Sequence, residues 1–230
     1  MLSNKVRLTN NAFQFSPSSG SVSLNSTPTT VRFDNNTTYL EWGHTVNAGS
    51  NQVLFVGFGG GVNNSTAYLT VTNVSYNGQA LTRILQRNSP TVGYISADLW
   101  YLKDPSVGTY NVSASMTDLA QGAAGAVVFS GVDQTTPYEN VTSGSGATSV
   151  ALDITSAVND VAFAICAHGG DINLVAPTTQ LWRDSRAGND WEQFSAAGYE
   201  TGGSSVHIQW DVGVENFTYL VEIGLSVKAA

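Results

Sequence analysis

Three histidines, His44, His168 and His207, are the first residues to consider for chemistry. No two of them have the H-x-x-x-H spacing that binds a metal ion from one helix face. His207 alternates with Val206 and Ile208, which is typical of a strand residue that faces solvent. A Ser-His-Asp triad needs its members to meet only in space, so the sequence leaves one open, yet no G-x-S-x-G nucleophile elbow accompanies it. The sequence therefore does not favour histidine catalysis.

Paired carboxylates across a cleft would suit glycoside hydrolysis. Glu41, Asp98, Glu192 and Glu200 are available, but their spacing in the sequence selects no pair. With eleven Asp and six Glu in the whole chain, solvated loops and turn capping account for most acids. A hydrolase on a sandwich scaffold is thus the weakest function hypothesis. We assign no catalytic residue and expect the chain not to be an enzyme.

Calcium is the metal that best suits the composition, because Asp, Asn and backbone carbonyls are its ligands. The candidate loops are residues 171–173 and 184–190, and neither matches the D-x-[DN]-x-[DN]-G pattern. Asp and Asn are also common turn formers. The single Cys166 excludes an intramolecular disulfide and a zinc site built from several cysteines, and it predicts a buried, inert thiol. We therefore expect no cofactor and no metal site, with calcium as the alternative.

Two tryptophans lie at either end of a polar, loop-like segment. Exposed Trp rings in β-sandwich loops stack on sugar faces, and flanking Asp and Arg side chains bind sugar hydroxyls. The alternative is that both rings cover the end of the core. The candidate glycan-binding residues are Trp182, Arg183, Asp184, Asp190 and Trp191.

The elements that would position these residues are predicted to be strands. Apolar runs at 52–58 and 161–167 are typical of strands buried on both faces, whereas residues 68–76 alternate in polarity. Asn77-Gly78 predicts a hairpin turn, since both residues accept a positive φ. Short strands with Gly, Pro and Asn between them predict an antiparallel β-sandwich, jelly-roll-like, over residues 37–230.

Residues 1–36 are predicted to form an extended N-terminal arm, because Asn, Ser, Thr and Pro dominate there. Its apolar side chains are candidate anchors for docking on a neighbouring subunit by strand addition. These anchors are Phe13, Phe15, Val22 and Leu24.

The composition excludes several partners. The 230 residues carry a net charge of -8, and only 11% of them are charged, against about 25% in ordinary domains. Nucleic acid is an improbable partner, because phosphate binding needs clustered Lys and Arg. No stretch is long and apolar enough to insert into a membrane, and the N-terminal residues have no apolar signal-peptide core.

Several stretches resemble a widespread β-sandwich module of phage virion and tail proteins and of bacterial surface proteins. They run from about Trp42 to the C-terminus, and the most specific is Ser-Gly-Val-Asp-Gln-Thr-Thr-Pro, residues 130–137. The others are residues 42–46, 51–57, 71–82, 99–105, 108–109 and 197–201, with the strand around Trp210. The resemblance implies a structural or adhesive role and assigns no catalytic residue.

Two functions follow as hypotheses. The first is a phage virion protein, made in a host cytoplasm: a capsid decoration or cement, head-fibre or tail accessory protein that docks through its arm on copies of itself and other virion proteins. The alternative is a carbohydrate-binding or adhesin module, at a cell surface or outside the cell, that uses the Trp-containing loop to bind host surface glycans.

Overall fold

The computed structural model describes residues 20–62, 67–90, 95–169, 172–175, 178–185, 194–212 and 219–230. Every regular element in these ranges is a β-strand, and the strand pairs are antiparallel. The predicted all-β fold is therefore confirmed. The strands form three sheets, one from the first half of the chain and two from the second.

The first half of the chain forms one sheet that nearly closes into a barrel. Along the sheet the order is β5-β4-β8-β3-β7-β6, with β1 and β2 also paired to β8. Its strands are β1 (Ser23–Leu24), β2 (Thr29–Val46), β3 (Val53–Val62), β4 (Val71–Tyr76), β5 (Gln79–Ala80), β6 (Thr82–Asn88), β7 (Ser96–Lys103) and β8 (Gly108–Ser130).

The barrel closes because β5 and β6 follow each other in the chain yet lie at opposite ends of the strand order. Side chains bridge the remaining seam: Arg83 donates to the carbonyl of Val71, and Gln86 Nε2 donates to the carbonyl of Leu69 over 2.8 Å. At the end of β4 opposite Val71, Asn77 and Gly78 form the predicted turn with φ of 48° and 75°. Only two residue pairs return along β4 before the chain crosses to β6.

The second half of the chain forms two sheets, with strand orders β13-β14-β11-β16-β9 and β10-β15-β12. Successive strands alternate between the sheets from β9 to β12, which is the connectivity of a jelly roll. Its strands are β9 (Tyr138–Gly146), β10 (Ser149–Ile154), β11 (Val161–His168), β12 (Ile172–Leu174), β13 (Thr179–Ser185), β14 (Phe194–Thr201), β15 (Val206–Val212) and β16 (Leu220–Val227).

Three hydrophobic cores hold the layers together. The barrel core surrounds Trp42 and Phe58. The inter-sheet core joins the barrel to the five-stranded sheet through Phe55 and Phe163, whose ring centroids are 5.4 Å apart. The jelly-roll core lies beneath Trp210. Because the five-stranded sheet has a core on each face, β11 and β16 are buried throughout, and their only polar side chains are His168, Glu222 and Ser226.

The described residues of the predicted arm, 20–36, include strands that pair with the barrel sheet. Leu24 is opposite Phe129 across β1 and β8, and β2 continues this pairing from residue 29. Backbone N–H groups in this segment thus find their acceptors within the chain, which satisfies them better than an unpaired arm would. Residues 20–36 therefore belong to the domain, and residues 1–19 lie outside the described ranges.

The stretch at 130–137, which carries the resemblance, connects the barrel to the jelly roll. Val132 is buried and forms a bridge to Ala229 next to the C-terminus. The Asp133 carboxylate accepts hydrogen bonds from the backbone of Thr135 and Thr136 at 2.7 and 3.2 Å. These bonds lower the pKa of Asp133. Residues 130–137 thus form a turn that Asp133 caps and that Val132 anchors, so the motif has a structural role.

Candidate functional site

A shallow groove of about 440 Å³ lies on the outside of the barrel, where β2 and β8 meet the turn after β4. The strand register places Glu41 opposite Ser113 and Thr45 opposite Thr109. Because side chains alternate between the two faces of a strand, these residues face outward while Trp42 and Val112 face the barrel core. The groove is lined by Glu41, Asn77, Gly78, Thr109, Tyr110, Asn111 and Ser113.

The Glu41 carboxylate is oriented by two donors. Asn111 donates its side-chain N–H to Glu41 Oε1, and Tyr39 donates its hydroxyl to Oε2 over 3.2 Å. An ionised carboxylate has about four acceptor positions, so two remain for a ligand. Glu41 can therefore act as a fixed acceptor of hydroxyl groups.

Tyr110 lies on β8 beside the groove, but its side chain is on the other face of the strand from Glu41, because it is opposite buried His44 in the register. Its ring packs over Gly108, where a Cβ atom would lie 2.9 Å from Tyr110 Cε2. It also contacts Tyr76 edge to face, with ring centroids 5.9 Å apart. Tyr76 is held in turn by its hydroxyl, which donates to the Gly108 carbonyl over 2.8 Å. Tyr110 is 39% exposed, and its ring is held on the barrel face of β8 beside Tyr76.

The three histidines occupy separate places. His44 is buried in the barrel, with Nδ1 2.9 Å from Thr29 Oγ1 and Nε2 3.2 Å from Ser26 Oγ. Burial lowers the pKa of His44 to about 4, so the ring is neutral at pH 7. His168 is buried at the end of β11. None of the three is brought next to another in a shared site.

His207 lies on the outer face of the three-stranded sheet, as its alternation predicted. Its Nδ1 is 2.8 Å from Asp153 Oδ1, and its Nε2 is 3.3 Å from Gln209 Oε1. The hydrogen bond with Asp153 is the main cause that raises the pKa of His207, and the hydrogen bond with Gln209 adds to it. The hydrogen-bond partner of His207 Nε2 is thus an amide oxygen and not the hydroxyl that a Ser-His-Asp triad places there.

The acids considered for glycoside hydrolysis are not brought together in the described residues. Glu41 faces outward, whereas Asp98 lies inside the barrel with Arg83 Nη2 3.0 Å from its Oδ2. Burial raises the pKa of Asp98 to about 7, against the opposing effect of Arg83. The Arg83 guanidinium also lies over the Trp100 ring at 4.6 Å. Glu192 lies outside the described residues.

A buried acid that the sequence did not single out lies in the jelly-roll core. Glu222 has no exposed surface, and its Oε1 accepts a 2.9 Å hydrogen bond from Trp210 Nε1. Burial raises the pKa of Glu222 well above the usual range, which favours the protonated carboxyl, while the hydrogen bond from Trp210 opposes this shift. Cys166 is opposite Glu222 across β11 and β16 and is buried, as predicted. Burial also raises the pKa of the Cys166 thiol.

The predicted glycan-binding loop is only partly described. Trp182 is 4% exposed, with its Nε1 3.3 Å from Ser195 Oγ, so its ring belongs to the inter-sheet core. This is the alternative in which the ring covers the core. Arg183 is exposed on β13, and Asp184 lies on the same strand. Asp190 and Trp191 lie outside the described residues.

The predicted arm anchors separate into two groups. Val22 is 8% exposed and packs into the inter-sheet core, while Leu24 is 40% exposed. Phe13 and Phe15 lie outside the described residues. Within the chain's own body, Val22 is thus a core residue.

Metal sites and membrane spans have no support in the described residues. There, no group of three or more His, Cys, Asp or Glu side chains is arranged to hold a metal ion. The calcium loops predicted at 171–173 and 184–190 fall largely on residues that are not described. In the described ranges no helix is long and apolar enough to cross a membrane.

No family model, curated protein or solved structure matches this chain. The groove around Glu41 was missed from the sequence because its two halves, residues 39–45 and 109–113, lie almost seventy residues apart. The available signal was the alternation of polar and apolar side chains in both segments.

Proposed function

We propose that this chain is a non-enzymatic structural protein of a phage virion: a capsid decoration, head-fibre or tail accessory protein. It attaches through the residues before Gly20, including Phe13 and Phe15, and presents its barrel outward. Its partners are other virion proteins and further copies of itself, and it is made in the host cytoplasm. The resemblance carried by residues 130–137 is one support for this proposal.

The observation that carries the proposal is the way the N-terminal segment joins the body. Val22 N–H donates to the Asn159 carbonyl over 2.8 Å, and its side chain is buried. β1 then pairs with the last two residues of β8. A force on the preceding residues is therefore transmitted directly to backbone hydrogen bonds of the folded domain, which suits a tether.

β8 distributes such a force through the molecule. This 23-residue strand pairs with β1, β2, β3 and β4, and its face contributes Phe129 to the inter-sheet core. The same end of the molecule also carries an exposed apolar side chain, because Val158, beside Asn159, is 79% exposed. An apolar side chain next to the point of attachment suits packing against a neighbouring subunit.

The test is incorporation into particles. Cells that carry the gene and release phage particles would be complemented with the tagged full chain or with a chain lacking residues 2–19. We expect the full chain to co-purify with particles and the deletion to be lost from them although it folds. Equal incorporation of the two chains would contradict attachment through this segment.

Point variants sharpen this test. Phe13→Ala with Phe15→Ala should reduce incorporation, whereas Asn10→Ala with Asn11→Ala is the matched control. Val158→Ser should also reduce it, and Val107→Ser, 52% exposed just before the start of β8, is its control. Loss of incorporation in both control variants to the same degree would count against a docking end at Val158 and the N-terminal segment.

A further inference from the structure

We propose that the barrel has a built-in opening, the seam between residues 67–71 and β6, which parts more readily when Asp98 ionises. This inference does not depend on the virion role, because it rests only on groups of the barrel. Its grounds are the way the two sides of the seam are joined, the buried acid behind the seam and the partial exposure of the arginine that lies between them.

The backbone joins the two sides of the seam at one end. Among the strands that the structure describes, β6 pairs with β7 alone, and β4 pairs with β5 and β8. Just before β6, the Leu81 N–H donates to the Val74 carbonyl over 2.9 Å. Neighbouring strands of a sheet are about 4.8 Å apart and are joined by a ladder of backbone bonds. The seam diverges from that arrangement beyond Val74.

Three side chains bridge the rest of the seam by donating to carbonyls on its far side. The three bonds are Tyr68 Oη to Ser89 over 2.8 Å, Gln86 Nε2 to Leu69 over 2.8 Å, and Arg83 Nη2 to Val71. Each of these bonds ends when one side chain rotates, so the seam can part while the strand ladders on either side stay intact. Proteins open locally where few backbone bonds and contacts hold two segments together.

Arg83 connects the seam to a buried acid. Its Nε lies 3.0 Å from Asp98 Oδ1, and its Nη2 lies 3.0 Å from Asp98 Oδ2, which makes a bidentate pair. The Asp98 side chain is fully buried, whereas that of Arg83 is 34% exposed. Because Arg83 also spans the seam to Val71, its displacement gives water a path to the Asp98 carboxylate.

The elements packed around Asp98 leave Arg83 as its charged neighbour. The side chains that face Asp98 are Phe58 on β3 and Arg83 and Gln86 on β6. Arg87 is opposite Ala97 and therefore faces the inter-sheet core instead. On residues 67–71 the titratable group is the phenol of Tyr68, and from β2 the buried His44 is neutral above its pKa of about 4.

The sign of the pH dependence follows from burial. Burial raises the pKa of Asp98 from 3.8 to about 7, and the charge and hydrogen bonds of Arg83 oppose this shift. When the seam parts, water reaches the carboxylate, and its pKa falls toward the usual value. The open form therefore releases the proton first as pH rises, and opening becomes more favourable between about pH 4 and pH 7.

The experiment measures how fast a cysteine beside the seam reacts with a small thiol reagent in the intact chain. In a Cys166→Ala background, Val71→Cys reports on the seam, and Val56→Cys is the matched control, because both valines are fully buried in the barrel core. Global unfolding exposes both cysteines alike, so the ratio of the two rates isolates local opening. We expect a ratio of about ten or more at pH 7 that falls by about tenfold or more from pH 7 to pH 5.

Further substitutions assign the effect to its residues. Asp98→Asn keeps an oxygen for Arg83 but cannot ionise, so it should remove the pH dependence of the ratio. Gln86→Leu breaks one bridge and should raise the ratio at every pH from 5 to 8. Glu41→Gln changes an acid on the outside of the barrel and should leave the ratio as it is.

Unfolding midpoints show which variants fold, and Leu69→Cys with Leu54→Cys, both also fully buried in the barrel core, is a second reporter pair. Two results would overturn the inference. One is equal reaction rates at the seam and control positions in both pairs, which would mean that the cysteines react only through global unfolding. The other is a pH dependence of the ratio that Asp98→Asn retains.

Discussion

The indole of Trp182 lies against Gly125 on the facing sheet: a Cβ atom on Gly125 would be only 2.4 Å from Trp182 Cε2. Gly57 is opposite Gly125 across β3 and β8, and a Cβ there would be 3.3 Å from Trp182 Cζ2. The two glycines thus form a slot that receives the indole. This slot fixes how the barrel packs on the five-stranded sheet.

Filling the slot should destabilise the fold. We expect Gly125→Ala to lower the free energy of unfolding by about 1–3 kcal/mol through overpacking. Trp182→Ala should cost about 3–5 kcal/mol because it leaves a cavity. Urea denaturation measures both, and the double variant should cost less than the sum, since Ala at 182 leaves room for the new methyl group. Gly43→Ala is the control, because a Cβ there meets nothing within 4 Å; equal costs at Gly43 and Gly125 would contradict the slot.

His44 should make stability fall in mildly acidic solution. Its pKa is about 4 in the folded chain against the usual 6.5, so the unfolded chain takes up a proton first as pH falls. The stabilisation is complete above pH 6.5 and is lost progressively down to about pH 4. The loss should be about 3 kcal/mol, at 1.36 kcal/mol per pKa unit. His44→Gln should flatten this part of the pH–stability curve; a wild-type curve with the same slope as the variant would argue against a buried neutral ring.

Glu222 should act in the opposite direction. Its pKa in the folded chain is raised well above the usual 4.5, so the unfolded chain releases the proton first as pH rises. The contribution of Glu222 to the stability of the wild-type chain should therefore fall as pH increases above 4.5. Glu222→Gln keeps an acceptor for Trp210 Nε1 and cannot ionise, so it should be more stable than wild type in alkaline solution. A variant that gains nothing there, measured by thermal unfolding across pH, would contradict a protonated Glu222.

Arg83 should matter most when Asp98 is ionised. Removing one partner of a buried ion pair typically costs about 3–5 kcal/mol. Arg83→Met should therefore be strongly destabilised above the Asp98 pKa of about 7 and less so below it, where the carboxyl is neutral. Adding Asp98→Asn should remove the difference between the two pH ranges. Chemical denaturation on both sides of pH 7 measures this, and an Arg83→Met cost that does not change with pH would refute the pairing.

Much of the fold follows from local pattern. The apolar runs at 52–58 and 161–167 are buried strands because each lies between two layers. Asn77-Gly78 forms the turn that its tolerance of positive φ predicts. Residues 108–130, in contrast, form one continuous strand, β8, whose partners change along its length. Pairing over long sequence distances leaves no local signal of that continuity.

The candidate site was harder to predict. Glu41 and Asn111 become neighbours only through the register of β2 on β8, and either residue alone resembles any polar strand residue. Trp182 had the polar neighbours of a surface residue, yet the Gly57–Gly125 pair provides space for its ring. Val22 likewise lies between polar residues that are typical of an extended arm, yet it packs in the same core as Phe129. Each of these outcomes depends on a residue distant in sequence.

The central claim, that this chain is a resident virion protein, is tested most directly by quantitative mass spectrometry of particles. Particles released by cells that carry the gene would be purified on a density gradient and washed with salt. We expect the chain to stay with the particles at a fixed ratio to the major coat protein. Its absence from washed particles, with the chain found only in the soluble fraction of the same cells, would contradict the claim.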